Sequence, residues 1–200
     1  RMQHVLKPKR ILNGYGPTET VVTPMLWGAY EGDTLTSAYA PLGAVAMSDP
    51  IADHFETNVF WGGLTYNSHA LGLSAAEAAI KVLLEENLLE NAVEMGKVMR
   101  SEMDRLIAKH PSLKEGRQLG LFGMMDVQKN SQGDLIAPYN GTHPAMKELS
   151  SFFRSEGLFT FVRWSHFMCN PPLCINEEQL LEAFEIIDRG LEITDAVFEG

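Results

Sequence analysis

"EGDTLTSAYAPLGAVAMSD" (residues 31–49) is the stretch on which the reading of this chain turns. Inside it, "APLGAVAMS" (40–48) is compact and apolar, with turn-forming residues on either side. Such a run predicts a short buried strand. Upstream, residues 1–35 are irregular: an apolar patch in "RILNGYGPTETVVTPMLWGAYEGD" is interrupted by Gly14, Gly16, Pro17 and Pro24. Glycine and proline at that density mark turns, so one strand near 10–13 followed by a loop is expected.

Downstream the texture becomes helical. Ser74 and Glu77 have the spacing of a capping box before "AAIKVLL", although a start nearer Ser68 fits equally. A second helix follows, with Leu88, Ala92, Met95, Met99, Met103 and Leu106 recurring every three or four residues until Pro111 stops it. Methionines in such a stripe fill core space rather than bind a ligand. Past Pro111 short strands and helices alternate. "LGLFGMMDVQ" (119–128) reads as a strand, "NSQGD" (130–134) as a turn, and "PAMKELSSFFRSEG" (144–157) as a helix ended by Gly157. "LFTFVRW" (158–164) reads as another strand. The last helix is capped by Asn176 and buries Leu180, Phe184, Ile187 and Leu191. This mixture predicts helices on one face of a small sheet, an α+β layer.

Composition sets the outer limits. Two hundred residues make one domain or two small ones, and 45% hydrophobic with 21% charged residues is ordinary for a soluble globular protein. A net charge of −10 argues against a nucleic-acid partner, and the basic start "RMQHVLKPKR" is too short to change that. No apolar run is long enough to span a membrane, and no secretory signal is legible, so a cytoplasmic location is expected. Cys169 and Cys174, in "CNPPLC", lack a zinc-knuckle spacing and read as two small buried hydrophobes, with no metal site expected. Walker, nucleophile-elbow and Gly-x-Gly-x-x-Gly signatures are missing.

Four blocks carry the reading further: "LTSAYAPLGAVAMSDPIADHF", "GGLTYNSHALGLSAAEAAIKVLLEENLLENA", "GRQLGLFGMMDVQKN" and "NPPLCINEEQLLEAFEIIDRGLEITD". In this order, from about Leu35 to the end, they resemble the class III aminotransferases, closest in flavour to the taurine–pyruvate and ω-amino acid–pyruvate enzymes. The resemblance implies an α/β fold class: part of a fold type I pyridoxal-phosphate-dependent transferase with a C-terminal α+β small domain. It divides the chain into a partial large domain (36–110) and a small domain (111–200). It also implies pyridoxal 5'-phosphate as cofactor, a small-molecule amino donor with pyruvate as acceptor, and a homo-oligomer. "GLTY" (63–66) is similar to the stretch that reaches the cofactor phosphate, which makes Thr65 the cofactor-binding candidate; a dianionic phosphate favours hydroxyl and N–H donors. Arg163, just before "NPPL", stands where the family often places an arginine for the substrate's acid group. A guanidinium fork pairs with carboxylate or sulfonate in two-point fashion, although a solvated surface arginine is the plainer alternative. Arg117 matches the family's Arg-Gly-x-Gly-Leu block only in part, since Gln118 replaces the first glycine.

One position departs from the pattern. The family's Lys-Gly-Leu-Thr-Ser supplies the Schiff-base lysine, and the same register here reads Asp33-Thr34-Leu35-Thr36-Ser37. A carboxylate can neither form an imine nor shuttle a proton as an amine does, so no catalytic residue is expected. Nor do these 200 residues offer, in the family's order, an aromatic to stack on the pyridine ring or an acid for its nitrogen. Before the junction, "ILNGYGPTETVVT" (11–23) resembles the Tyr-Gly-Pro-Thr-Glu motif of adenylate-forming enzymes, which would place Thr18 and Glu19 at an ATP–magnesium site. The chain therefore reads as a chimera joined near residue 35: a fragment of an aminotransferase inactive alone, with a dimer-forming structural module or an adenylation remnant as alternatives.

Overall fold

A computed structural model describes residues 11–14, 34–36, 43–63, 65 and 67–200. The chain divides into two compact units, residues 1–86 and 87–200. Asp33, Thr18 and Glu19 lie outside the described residues.

In the first unit, β1 (Ile11–Gly14), β2 (Thr34–Thr36) and β3 (Gly43–Ala46) form a small antiparallel sheet in the order β1-β3-β2. Leu12 pairs with Val45 on one side, and Leu35 with Ala44 on the other. The apolar run of the opening stretch is thus a strand, shorter than the sequence suggests. Pro50 opens α1 (Asp49–Thr57), where its missing N–H costs nothing. Then α2 spans Ala70–Glu85 and is capped by His69, whose Nδ1 accepts from the Gly72 N–H at 3.4 Å. The start is therefore near Ser68, which itself has a positive φ, and the Ser74–Glu77 spacing falls inside the helix. Only Gly72 and Leu83 of α2 are buried; Leu71, Leu73, Ile80, Val82 and Leu84 face outward.

The second unit opens with α3 (Leu88–Lys109), followed by β4 (Leu113–Leu119), β5 (Phe122–Val127), α4 (Pro144–Ser155), β6 (Val162–Arg163), β7 (His166–Cys169) and α5 (Glu177–Asp195). Its sheet is antiparallel throughout, in the order β4-β5-β7-β6. Gly123, Met125 and Val127 of β5, with Phe167 and Cys169 of β7, are buried, while the alternate residues of both strands are mostly half-buried. This period of two turns one face toward the helices. Met99, Met103 and Leu106 of α3, Met146, Leu149 and Phe153 of α4, and Leu180, Phe184, Ile187 and Leu191 of α5 complete a single core. The methionine stripe of α3 is core filler. That helix packs with the C-terminal sheet, inside the compact unit that starts at Asn87. An Asn176–Gln179 capping box fixes the start of α5.

Two strands differ from the sequence expectation. The single strand expected over 119–128 is a hairpin: β4 is "LKEGRQL", and the chain turns at Gly120 with φ +57°. A charged edge strand carries little apolar signal. The strand expected over 158–164 shrinks to Val162–Arg163 and folds back at Trp164 into β7, which sequence reading passed over. Trp164 sits at φ +53°, where glycine or asparagine would normally announce a turn. Gln118, which stands where the family has glycine, donates from Nε2 to the Gly96 carbonyl at 2.5 Å and the Gly120 carbonyl at 2.6 Å, tying α3 to the hairpin. A Cβ on Gly96 would come within 3.0 Å of the Gly120 backbone, so the helix must be smooth there.

Candidate active site

Polar residues gather on the sheet face turned away from the helices. Antiparallel pairing sets Glu115 opposite Asp126, Asp126 opposite His166, and His166 opposite Arg163, so one row crosses all four strands. Directly paired residues project to the same side of a sheet, which explains how positions 48 apart in sequence become neighbours. Asp126 is the anchor. Its side chain is only 6% exposed; it takes 2.7 Å hydrogen bonds from Arg117 Nη2 on both oxygens and a 2.6 Å contact from His166 Nδ1. A buried carboxylate held this way is well satisfied.

Arg163 ends the row. Its guanidinium carbon lies 4.5 Å from the centre of the Trp164 ring, and Trp164 in turn packs against Tyr139, with ring centres 4.4 Å apart and planes tilted by 54°. Cation–aromatic stacking steadies the flat face of the guanidinium and leaves its N–H edge free to meet a ligand. Arg163 lines an open cleft of about 430 Å³ together with Lys147 and Arg154 of α4, and His143 at the helix start. His143 Nδ1 accepts from the Ala145 N–H at 3.2 Å, which places its own hydrogen on Nε2.

Thr65 is exposed, in the loop between α1 and α2 of the first unit. Arg163 belongs to the second unit. Arg117, on β4, clamps Asp126. Sequence reading missed Asp126, His166, Lys147 and Arg154. A lone carboxylate inside the apolar strand "LFGMMDV" is a signal for Asp126; the others announce themselves only once the strands pair. Of the two cysteines, Cys169 is buried, which pushes its thiol up to about 12, while Cys174 is exposed and is not the buried hydrophobe expected. No group of three or more metal-binding side chains occurs among the described residues, and no helix there is long and apolar enough to cross a membrane.

The fold is that of the fold type I pyridoxal-phosphate-dependent aminotransferases. A taurine:2-oxoglutarate aminotransferase from Bifidobacterium kashiwanohense, solved with PLP and glutamate, superposes with a TM-score of 0.74 at 32% identity, over 80% of this chain and 36% of that one. A family model for class III aminotransferases matches residues 31–191, so the chain belongs to the class III aminotransferase family. Among relatives, an uncharacterized aminotransferase of Schizosaccharomyces pombe is 27% identical over 93% of this chain and 43% of its own length. The putrescine–pyruvate aminotransferase of Pseudomonas aeruginosa is 27% identical over 81% and 35%. The chain thus spans less than half the length of these relatives.

Class III aminotransferases use pyridoxal phosphate. The described residues do not by themselves fit that group. It needs an amine lowered in basicity by burial or a neighbouring cation. No lysine among the described residues is buried, and Lys81, Lys97 and Lys109 are tied to Glu77, Glu94 and Asp188.

Proposed function

We propose that this chain is the C-terminal portion of an aminotransferase that moves an amino group from an acid-bearing ω-amino acid, of the taurine or β-alanine type, to a 2-oxo acid such as pyruvate. In this reading Arg163 receives the substrate's acid group, Thr65 contributes a hydroxyl to the cofactor phosphate, and residues 111–200 are the small domain. The 200 residues do not turn over on their own, because Asp33 occupies the lysine register. The chain works as part of a homo-oligomer in the cytoplasm.

One observation carries the reading: Arg163 stands over an aromatic ring in a cleft, with no carboxylate partner among the described residues of a protein of net charge −10. A graft tests it. Residues 35–200 would replace the matching part of the Bifidobacterium enzyme, which keeps its own cofactor lysine. The graft is expected to transaminate taurine, and Arg163→Ala to raise KM for taurine about tenfold, roughly the worth of one charge-assisted pair. A simple amine without an acid group should be unaffected. Equal KM values for taurine with and without Arg163 would remove the acid-anchor role.

The structural-module alternative draws on the self-contained core of residues 87–200 and the absence of unsatisfied buried side-chain polar atoms among the described residues. A graft that folds and binds cofactor without activity would favour it. For the adenylation motif, the family match begins only at residue 31, which leaves 11–23 outside it. The Schizosaccharomyces alignment weighs the other way, since 93% of the chain cannot lie wholly after residue 30. ATP–pyrophosphate exchange by the purified chain would decide for the motif.

A further inference from the structure

One edge of the C-terminal sheet is open. In the order β4-β5-β7-β6, strand β6 pairs only with β7. The Met168 N–H donates to the Phe161 carbonyl at 2.9 Å, and Arg163 pairs with His166, so the hydrogen-bonded pairs along this ladder are 161 with 168 and 163 with 166. In an antiparallel ladder the residue between two such pairs turns its backbone groups the other way. Val162 is that residue. Its N–H and C=O point off the sheet edge, and neither has a hydrogen-bond partner among the described residues. Val162 also lines the cleft of about 430 Å³ beside α4, so the open edge gives onto a concave surface.

That cleft carries charge of one sign only. Lys147 and Arg154 of α4 line it with Arg163; none of the three pairs with a carboxylate among the described residues, and no carboxylate lines the cleft with them. In a chain with 26 acidic residues against 16 basic ones, such a place selects an acidic occupant. A small anion would need only the cations. The unpaired backbone of Val162 calls for a partner with its own N–H and C=O, and an extended peptide supplies both. The spacing suits one. Lys147 and Arg154 are seven residues apart on α4, about 10 Å along the helix axis. Same-face residues of a strand lie about 7 Å apart at i, i+2 and about 13 Å apart at i, i+4, within reach of these two long side chains. Arg154 already extends to the strand side, lying over the Phe159 ring at 5.8 Å. Phe159 and Phe161, of opposite parity to Val162, are exposed. They would meet the alternate, apolar residues of an added chain.

We propose that this cleft binds an extended acidic segment of another protein, added to β6 as a fifth strand. Its alternate carboxylates lie against Lys147 and Arg154, and its intervening apolar side chains lie beside Phe159 and Phe161. Among the described residues the adjacent acidic pairs of this chain, Glu85–Glu86 and Glu177–Glu178, sit at helix ends rather than in an extended segment, which assigns the occupant to a different chain. The proposal is separate from the reading of Arg163 as the substrate's acid anchor, and its test leaves Arg163 unchanged.

The test is calorimetric titration of the full 200-residue chain with the blocked heptapeptide acetyl-Thr-Glu-Val-Glu-Val-Asp-Thr-amide at one fixed, low ionic strength. A neutral twin, with Gln and Asn in place of Glu and Asp, should bind about fivefold more weakly, the scale of two solvent-exposed ion pairs. The double variant Lys147→Gln with Arg154→Gln should lose as much. Both side chains are exposed on α4, and a circular dichroism melt checks that the variant is folded. Strand pairing is read separately from charge. Only alternate N–H groups of an added strand face β6, so N-methylation of one alternate set of peptide residues should abolish binding, while methylation of the other set leaves it within about threefold. Exchange of the Val162 amide with solvent should slow as peptide is added. Equal effects of the two methylated sets, or unchanged Val162 exchange, would show an anion site without strand pairing and overturn the proposal. Peptide binding that ignores the Lys147 and Arg154 substitutions would overturn it too, as would no measurable binding at about 1 mM peptide. None of these outcomes touches the acid-anchor reading, because Arg163 is present throughout.

Discussion

Asp126 shows how much one residue can organise. It sits in the middle of a sheet, 6% exposed, and its charge is answered by Arg117 from the strand on one side and His166 from the strand on the other. Arg117 is half-exposed, yet removing it would leave the carboxylate with His166 alone. Arg117→Ala should therefore destabilise the second unit by about 1–3 kcal/mol, the cost of under-serving a buried acceptor, read as a lower urea midpoint with unchanged slope. A neutral outcome would mean that water replaces the guanidinium without loss. At this scale the sequence was an uneven guide. Arg163 and Arg117 could be singled out by the blocks around them, and Asp33 could be seen to break the lysine register. His166, Lys147 and Arg154 could not, because their significance lies in which strands pair and which side chains lack partners, and neither is written locally.

Among the elements, the helices were legible and the strands were less so. The stripes of α3 and α5 repeat over many residues, and Asn176 announces its helix by capping chemistry. Strand β4 is charged and at an edge, and β7 follows a turn made by Trp164 rather than glycine; both lack the usual local signals. Two predictions belong here. The end of α3 is clamped to α5 through Asp188, which bonds Arg105 at 2.6 Å, His110 at 3.1 Å, and Lys109. Burial alone would raise the Asp188 carboxyl, but the hydrogen bonds from Lys109, Arg105 and His110 outweigh it and hold the group well below the usual carboxylate range. A depressed folded value stabilises the protein above the unfolded pKa, near 3.9, and that stability is lost as pH falls below it. Urea midpoints should drop as pH is lowered through that range, and Asp188→Asn should flatten this acid limb; an unchanged limb in the variant would assign it to other groups. The second prediction concerns Gly190 in α5. A Cβ there would meet Phe153 Cε1 at 2.7 Å and both Leu149 Cδ1 and Phe152 Cδ1 at 3.0 Å. Helix propensity favours alanine by about 1 kcal/mol, whereas forcing a methyl into a packed core costs about 1–3 kcal/mol. Gly190→Ala should lower the melting temperature; a rise would show that the two phenylalanines can turn aside freely.

For the whole molecule, the two units differ in how well they are closed. Residues 87–200 bury a continuous core, whereas the first unit leaves Val59, Phe60 and Trp61 exposed, the last at 91%, along with much of α2. Exposed apolar surface of this kind marks an interaction face. Light scattering across a concentration series should show association, and Trp61→Ser should reduce it; a monomer at every concentration would contradict the homo-oligomer proposal. The central claim is that the chain belongs to the class III aminotransferases yet presents no buried amine for the cofactor among its described residues. Incubation with pyridoxal phosphate, borohydride fixation and peptide mass mapping test it most directly, on the 200-residue chain and on its Asp33→Lys variant. An active lysine needs burial or a nearby cation as well as a ring stack and a pyridinium partner, so one substitution does not create it. The account predicts sparse labelling scattered over exposed lysines in both proteins, and no transamination. One lysine labelled to completion, with turnover of taurine or β-alanine, would contradict it.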